Sequence, residues 1–437
     1  MKKVQGRRLI ALVFLLAFSL AFLTACGNGG TGSSASAEAS GQSSQAADES
    51  SGENAGGNTE KRTVTLWHAL NEGEMDPFTK VLDGFNASSS TATVELVYIP
   101  REELLKQLTI GNLAGDMADM AMIDNPDTAA FAATGVFEDL TDYFSTWDDG
   151  QFLEGPLNSA TYEGRVYGVP YAFNCLAMFY DADMLEAAGV SVPTTWAELE
   201  TAAAALTNGE TYGFAFSAIK TEEATFQFVP FLTSAGGDVN QVSSDAGIKA
   251  LSMLSGLVQN GYASKEVVSW TQADVEKQFA TGKAAMMING SWQVPTVAAD
   301  APDKNWGIAN IPKDEKYASC LGGENICVTK GGDVEACWEF LTYLCGSDIN
   351  AEYCKSVSKF SPRSDVDLDA LWSDDENMKV FAENMTYAVA RGPHPRWTEI
   401  SNEIQVMIQE ACTGGKTAEQ AAKDAQVKID EINANVK

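Results

Sequence analysis

The folded part of the chain opens with strands and helices in alternation, and this order restricts the fold more than any other feature. Alternating or continuous apolar residues predict strands over 63–67, 93–99 and 117–123, with helices over 76–86 and 102–111 between them. Strands and helices at this spacing form a parallel or mixed sheet that is covered by helices on both faces. The sequence therefore predicts an α/β fold.

The length of the chain indicates more than one lobe. About 375 residues follow the low-complexity N-terminal region, which is too many for one typical hydrophobic core. Beyond residue 160 the patterns predict strands over 166–170 and 177–180 and helices over 183–188, 195–206, 244–260, 272–281, 334–345, 375–389, 397–412 and 417–433. The last of these helices is alanine-rich and amphipathic, as expected for a packing helix.

The N-terminus has the pattern of a lipoprotein export signal. Four basic residues precede an apolar run over 9–22, and the sequence Leu23-Thr24-Ala25-Cys26 completes a lipobox. We expect cleavage after residue 25 and a diacylglyceryl group on Cys26, which would anchor the protein on the extracytoplasmic face of the cell membrane. The alternative is an uncleaved membrane helix, but that needs about 20 apolar residues and gives no reason for the cysteine.

A flexible linker is predicted over 26–61, after the signal peptide at 1–25. Residues 27–60 are almost all Gly, Ser, Ala, Asn, Gln, Thr or acidic, so they cannot bury enough apolar surface to offset chain entropy. Three glycines in this stretch match the dinucleotide-binding pattern GxGxxG. No strand precedes them and no helix follows, so we interpret the match as chance.

Charge and cysteine usage exclude several classes of function. Without the four basic residues of the signal, 25 basic and 60 acidic side chains remain, a formal charge of −35, which argues against nucleic acid or anionic lipid headgroups as partners. Seven cysteines remain besides Cys26, at spacings that do not match zinc sites, and the only histidines, His68 and His394, lie far apart. We expect mostly buried free thiols, with one or two disulfides as the alternative, and no metal or other cofactor.

Four stretches of sequence, taken in order, carry a family resemblance. They are YEGRVYGVPYAFNCLAMFYDADMLEAAGVSVPTTWAEL over 162–199, FATGKAAMMINGSW over 279–292, GGENICVTKGGDVEACWEFLTYL over 322–344 and PRWTEISNEIQVMIQEACTGGKTAEQAAKDAQVKI over 395–429. Together they resemble the extracellular solute-binding proteins of ABC transporters, in the maltose-binding-like, sugar-binding group. The resemblance covers nearly all of residues 62–437.

The resemblance implies a two-lobed, periplasmic-binding-protein-like fold with a hinge between the lobes. Each lobe is a mixed sheet flanked by helices, and matching segments place lobe one at 62–169 plus 322–358 and lobe two at 170–321 plus 359–437. It also implies a monomer that captures a carbohydrate, expected to be an oligosaccharide, by lobe closure. The partners implied are a pair of ABC permease subunits with a cytoplasmic ATPase.

A sugar site combines flat aromatic rings with carboxylate, amide and guanidinium groups. Trp292 aligns with a position that stacks on sugar in the family, although a tryptophan here can also be a core residue. Loops after the first three strands contribute Trp67, His68, Asn71, Glu72, Arg101, Glu102, Asp124 and Asn125; the lobe crossings contribute Tyr171, Asn174, Gly323, Glu324 and Arg363; and lobe two contributes Phe226, Gln227 and Trp397.

Simpler roles remain open for several of these candidates. Asp124 and Asn125 can equally cap a helix, and Arg363 can equally form a surface ion pair. The aromatic candidates of lobe two stand in contexts that are typical of core residues. Asn174 replaces a carboxylate that one well-known family member has at this position, so the charge at that point of the cleft differs.

The sequence leaves three other functions to weigh against carbohydrate binding. An extracellular glycoside hydrolase would also combine aromatic residues with acids, but no pair of carboxylates is marked out, and the motifs GxSxG and HExxH do not occur. A sensory or adhesive surface lipoprotein is compatible with the sequence. A glycerol-phosphate-binding protein is suggested by the sequence TLWHAL around Trp67, but a phosphate needs several convergent cations, and the candidate loops offer chiefly Arg101, His68 and Arg363.

Overall fold

A computed structural model describes residues 61–147 and 150–436 of the chain. The predicted signal peptide, the predicted lipidation site Cys26 and the predicted linker lie outside the described residues, apart from the last linker residue. The expected α/β class is confirmed, since helices flank two separate main sheets.

The described residues form twelve strands. They are β1 (Arg62–His68), β2 (Ala92–Tyr98), β3 (Met120–Asp124), β4 (Thr161–Tyr162), β5 (Arg165–Val166), β6 (Val169–Asn174), β7 (Leu176–Asp181), β8 (Met286–Gly290), β9 (Trp306–Ala309), β10 (Ser319–Cys320), β11 (Gly322–Val328) and β12 (Ala388–Val389). The three strands predicted first correspond to β1, β2 and β3. The predicted strands over 166–170 and 177–180 correspond to β6 and β7, with shifted ends.

Seventeen α-helices occur in the described part of the chain. They are α1 (Glu72–Ser88), α2 (Arg101–Ala114), α3 (Thr128–Ala133), α4 (Thr141–Thr146), α5 (Glu154–Ser159), α6 (Ala182–Ala188), α7 (Trp196–Leu206), α8 (Glu222–Ser234), α9 (Asp245–Gln259), α10 (Gln272–Ala280), α11 (Val294–Asp300), α12 (Val334–Leu344), α13 (Ser347–Ser356), α14 (Leu368–Leu371), α15 (Glu376–Met385), α16 (Trp397–Thr413) and α17 (Ala418–Ala434). Short 3-10 turns cover Asn125–Asp127, Lys265–Val268 and Ser291–Gln293.

The first lobe is built on a five-stranded mixed sheet in the order β2-β1-β3-β11-β6. Strand β1 is parallel to β2 and β3, whereas β11 is antiparallel to both β3 and β6. Helix α1 begins where Asn71 and Glu74 form a reciprocal capping box. Its Phe78 packs edge-on against Phe340 and Tyr353, which joins α1 to the helices that follow β11.

The second lobe contains an antiparallel sheet in the order β8-β7-β9. Helix α16 places Trp397, Ile400, Ile404 and Ile408 at helical spacing on one buried face. Helix α8 was not predicted from the sequence. Its residues from 224 to 232 are all buried, so it lacks the polar face that marks a helix in a sequence.

The chain passes from one main sheet to the other at Cys175, between β6 and β7. The prediction that lobe two begins at residue 170 divides β6, which pairs with β11 from Val169 to Asn174. The strand is buried along its whole length, so its residue pattern does not show where the chain leaves the first sheet. We propose that the first lobe extends to residue 174 and keep the other boundaries as proposals.

The seven cysteines of the described residues are all buried and free. Burial raises the pKa of the Cys320 and Cys412 thiols to about 12, so neither is a reactive thiolate near neutral pH. In the same part of the chain no group of side chains has the arrangement of a metal site. Among residues 61–147 and 150–436, no helix is both long and apolar enough to span a bilayer.

Candidate functional site

A cleft lies between the two lobes and consists of two connected chambers. The large chamber has a volume of about 450 Å³ and the small chamber about 140 Å³. The residues that line both are Ala69, Glu74, Arg101, Asp124, Glu222, Glu223 and Glu324. Because these shared residues come from both lobes, a molecule in the cleft would contact both at once.

The wall of the first lobe is formed where the strands of its sheet end. The carboxyl ends of parallel β1, β2 and β3 lie at one edge, which places Ala69, Arg101 and Asp124 together. Arg101 opens α2 and donates to the carboxylate of Asp124. Glu324 is paired in register with Asp124 across β3 and β11, and its carboxylate lies 4.0 Å from the Arg101 guanidinium.

An aromatic pair forms part of the second-lobe wall of the small chamber. The half-buried ring of Trp292 stacks on Phe226 of α8, with 6.2 Å between the ring centroids and 21° between the planes. The guanidinium of Arg391 lies 4.4 Å from the centre of the Phe226 ring. Any side chain at Gly290 would overlap the Trp292 indole, so the close approach of this ring to the backbone requires glycine there.

Gly322 also lines the small chamber, and its lack of a side chain leaves room for Asn174 and Phe226. A methyl group at this position would overlap Asn174 Oδ1 and lie 2.7 Å from Phe226 Cζ. We expect Gly322→Ala to displace the Asn174 amide and the Phe226 ring, to destabilise the fold by about 1–3 kcal/mol and to weaken ligand binding. Urea denaturation and a ligand titration measure the two effects.

Gly256→Ala is the matched control for this substitution. It places the same methyl group in α9, where nothing lies within 4 Å. Alanine is the better helix former, so this variant should be at least as stable as the parent protein and bind ligand equally well. If Gly322→Ala behaves like the control in both measurements, the steric role assigned to Gly322 is wrong.

A buried lysine joins two acids at the floor of the small chamber. Lys359 is 2 % exposed and forms ion pairs with Glu74 and, at 2.9 Å, with Glu324. Burial by itself would lower the pKa of Lys359, but the two carboxylates outweigh that effect and hold it above the usual value. Lys359 therefore stays charged and fixes Glu324 at the cleft.

Glu222 organises the second-lobe side of the cleft. Its carboxylate accepts from Arg391 at 2.6 Å, from Trp397 Nε1 at 3.1 Å and from the Ser401 hydroxyl. Arg391 also donates to Asn125 of the first lobe at 3.4 Å. This network connects the first turn of α8 with α16 and with the 3-10 turn after β3.

Acids in the cleft differ in their protonation behaviour. Burial raises the pKa of Asp127 well above its ordinary value, and the neighbouring Glu222 and Asp124 add to the shift. Burial also raises the pKa of Glu223. Burial would raise the pKa of Asp124 too, but Arg101 and Arg391 outweigh it and the pKa falls below its usual value. Asp124 therefore stays ionised, whereas protonation of Asp127 and Glu223 is favoured relative to exposed carboxyls.

Three buried polar atoms of the small chamber have no partner among the described residues. They are Asn174 Oδ1, Gln272 Nε2 and Arg391 Nε, and each belongs to a side chain that is less than a tenth exposed. An unpaired polar group in such a place carries a desolvation cost that a bound ligand can remove. One acceptor and two donors are thus available beside the aromatic pair.

About half of the predicted site residues line the cleft. These are Asn71, Arg101, Asp124, Asn174, Phe226, Trp292, Gly323 and Glu324. Glu102 lies in the first turn of α2. The residues that do not line either chamber are Trp67, His68, Glu72, Asn125, Tyr171, Gln227, Arg363 and Trp397.

Three of these residues are held away from the cleft by interactions inside the protein. Tyr171 is fully buried in the core of the first lobe, where its hydroxyl contacts Met122 Sδ. The Gln227 amide is bonded to two backbone groups of the second lobe. Arg363 is paired with Asp365 and donates to the Cys345 carbonyl at 2.7 Å. The amide and guanidinium groups are therefore occupied, and the tyrosine ring does not face the cleft.

The other predicted residues that do not line a chamber are also held elsewhere by their local surroundings. Trp397 is 1 % exposed and supports Glu222 from behind the wall. His68 is buried and its Nδ1 accepts from the Leu70 amide. Asn125 is buried and accepts from Arg391. Trp67 packs against the hydrophobic core beneath α2, and Glu72 is exposed at the start of α1.

Sequence reasoning missed several residues of the cleft. They are Glu74, Asp127, Glu222, Glu223, Gln272, Lys359 and Arg391. The reciprocal pair Asn71 and Glu74 was detectable as a capping box, but only as a helix start. Nothing in the local sequence around Lys359 or Arg391 marks them as buried, because their partners are distant in the chain.

Comparisons with known proteins agree on one family. The profile described as bacterial extracellular solute-binding protein matches residues 80–380. A maltooligosaccharide ABC transporter solute-binding lipoprotein of Streptococcus pneumoniae is 24% identical over 357 residues, which cover 75% of this chain and 79% of the relative.

Two solved structures resemble the chain along most of its length. An ABC transporter solute-binding protein from Thermotoga lettingae, bound to α-D-tagatose, has a TM-score of 0.79 at 27% identity and covers 85% of this chain and 100% of its own. The GacH receptor of Streptomyces glaucescens, solved unliganded and with acarbose, has a TM-score of 0.78 at 26% identity, with 86% and 100% covered.

Proposed function

Because the chain belongs to the bacterial extracellular solute-binding proteins, we propose that it is the substrate-binding component of an ABC importer and that its ligand is a carbohydrate. The S. pneumoniae relative carries maltooligosaccharides for such a transporter, and the two structural relatives are bound to a sugar and to acarbose. The protein acts by binding, and it is not an enzyme.

The aromatic pair in the small chamber is the observation that carries this proposal. The half-buried Trp292 ring, supported by Phe226, offers a flat apolar face to the C–H face of a sugar ring. The unpartnered groups of Asn174, Gln272 and Arg391 lie in the same chamber and can bond to hydroxyls. A ring face together with convergent donors and acceptors suits a carbohydrate.

Charge argues against a glycerol phosphate as the ligand. Three of the cations that line the cleft, Arg101, Lys359 and Arg391, are already in ion pairs with its carboxylates. A phosphate would have to displace one of those carboxylates or lie beside it. An uncharged polyol avoids both.

The position of the cleft between the two lobes supports binding by lobe closure. A ligand that contacts both walls favours the closed state over the open state. The preference comes only from those contacts that the closed state has and the open state lacks. A permease pair would then recognise the closed form and receive the ligand. A lipid on Cys26 would hold the protein on the extracytoplasmic side of the cell membrane as a monomer; the S. pneumoniae relative is likewise a lipoprotein.

A thermal-shift screen tests the proposal. Residues 26–437 would be heated with a panel of mono- and oligosaccharides, with glycerol phosphates and amino acids as the other classes. A ligand present at 100 times its dissociation constant stabilises the folded state by about 2.7 kcal/mol. We expect a selective shift with one or a few glycans. A shift with glycerol phosphates or amino acids alone would contradict the proposal.

A further inference from the structure

We propose that the ligand is a glycoside with an apolar substituent, whose sugar ring lies in the small chamber and whose substituent lies in the large chamber. This inference rests on the proposed carbohydrate function and specifies the chemical class of the ligand. It is drawn from the different walls of the two chambers.

Aliphatic side chains dominate the apolar lining of the large chamber. They are Leu70, Leu104, Leu105, Met122, Ile123 and Ile219. The rings of Phe226 and Trp292 line only the small chamber. Among the described residues, no aromatic side chain lines the large chamber. The surface on which a sugar ring stacks is therefore confined to one end of the cleft.

The size of the small chamber makes the ligand extend beyond it. Its volume of about 140 Å³ is well below the roughly 300–1,000 Å³ of an ordinary small-molecule site, whereas the large chamber reaches about 450 Å³. A ligand stacked on Trp292 therefore enters the large chamber through the shared boundary at Arg101, Asp124 and Glu223.

A second sugar unit in the large chamber would meet several polar side chains that already have partners inside the protein. Arg101 and Asp124 are paired with each other, Asp127 accepts from the Thr398 hydroxyl, and Glu223 accepts from the backbone N–H of Gln272 at 2.7 Å. A hydroxyl buried against the leucine and isoleucine wall without a partner carries a desolvation cost. An alkyl or other apolar group has no such cost and gains from burial there.

The charges around the large chamber exclude an anionic amphiphile such as a fatty acid. Its lining includes the acids Glu74, Asp124, Asp127, Glu222, Glu223 and Glu324 but only the two cations Arg101 and Lys220. A ligand carboxylate would add a like charge to this set. The apolar group is therefore attached to a neutral sugar.

Matched methyl and hexyl glycosides of glucose, galactose, mannose and maltose test the inference by calorimetric titration of residues 26–437. The hexyl member of each pair adds five methylenes, and each one buried improves the dissociation constant about fourfold. If about three are buried, the hexyl glycoside of the recognised sugar binds roughly 50-fold more tightly than the methyl glycoside. Hexanoate should not bind.

A pair of leucines on one helix supplies the variant and its control. Leu105 lines the large chamber and is partly buried, whereas Leu113 lies on the same helix α2 outside the cleft and is 84% exposed. Leu105→Asn should remove most of the advantage of the hexyl chain while methyl glycoside binding stays within about twofold. Leu113→Asn should leave both unchanged.

The outcomes separate this inference from the function on which it rests. Equal binding of methyl and hexyl members, or an advantage that survives Leu105→Asn, overturns the apolar-substituent inference and leaves the carbohydrate function standing. Binding of hexanoate as tightly as of any glycoside also overturns it. If neither these pairs nor any glycan of the thermal-shift panel binds, the carbohydrate function fails as well.

Discussion

Replacing Lys359 with methionine is expected to destabilise the protein by about 3–5 kcal/mol. Methionine keeps much of the length of the side chain but removes the charge that Glu74 and Glu324 share in a site that is 2 % exposed. Two carboxylates would then face each other with no cation between them, so part of the folded population must take up a proton or open. Urea denaturation measures the change in the free energy of unfolding.

Two further variants show whether the charge is responsible. Lys80→Met removes a lysine from the pair with Glu352, whose side chains are 77% and 73% exposed, and should leave the urea midpoint unchanged. Adding Glu74→Gln to Lys359→Met removes one of the stranded charges and should restore part of the lost stability, since glutamine can still serve at the third position of the α1 cap. A loss below about 1 kcal/mol for Lys359→Met would contradict a buried, charged lysine.

Replacing Trp292 with alanine is expected to weaken glycan binding at least about 30-fold, equivalent to about 2 kcal/mol. The indole supplies most of the flat apolar surface of the small chamber, and alanine leaves only the Phe226 ring beneath it. The effect should appear in calorimetric titration with the glycan found by the thermal-shift screen. Trp292→Phe should retain part of the affinity because it keeps a ring at the same place.

A second tryptophan of the same lobe controls for general effects of the substitution. Trp306 is partly buried on β9, where it stacks on Phe179 at 5.9 Å, and it lines neither chamber. Trp306→Ala should lower stability without weakening glycan binding. If Trp292→Ala binds the glycan as tightly as the parent protein, the stacking role of Trp292 is wrong.

The elements that the sequence predicted well are those with one apolar and one polar face. Strand β1 and helix α1 show this periodicity, and their ends were predicted to within a few residues. Helix α8 was missed because it is buried on almost every side and shows no such contrast. Strand β6 was displaced for the same reason, since six consecutive buried residues do not indicate which one ends the strand.

The candidate site was predicted best where residues lie close together at the ends of parallel strands. Arg101 and Asp124 follow β2 and β3, and the shared sheet edge brings them into contact. Tyr171 lies in the core and outside the cleft lining. Because both faces of β6 are buried, the alternation of its side chains does not show which ones reach the cleft. Lys359 and Arg391 were missed because their burial depends on acids that are distant in the chain, Glu74 and Glu222.

We infer that this cleft binds a glycan between the two lobes. A crystal structure of the protein with the glycan selected by thermal shift would show whether it does. We expect a sugar ring against the Trp292 indole, within hydrogen-bonding distance of Asn174 and Arg391, and contacted by both lobes. A glycan bound elsewhere on the protein, or one that touches only a single lobe in a closed structure, would contradict the claim.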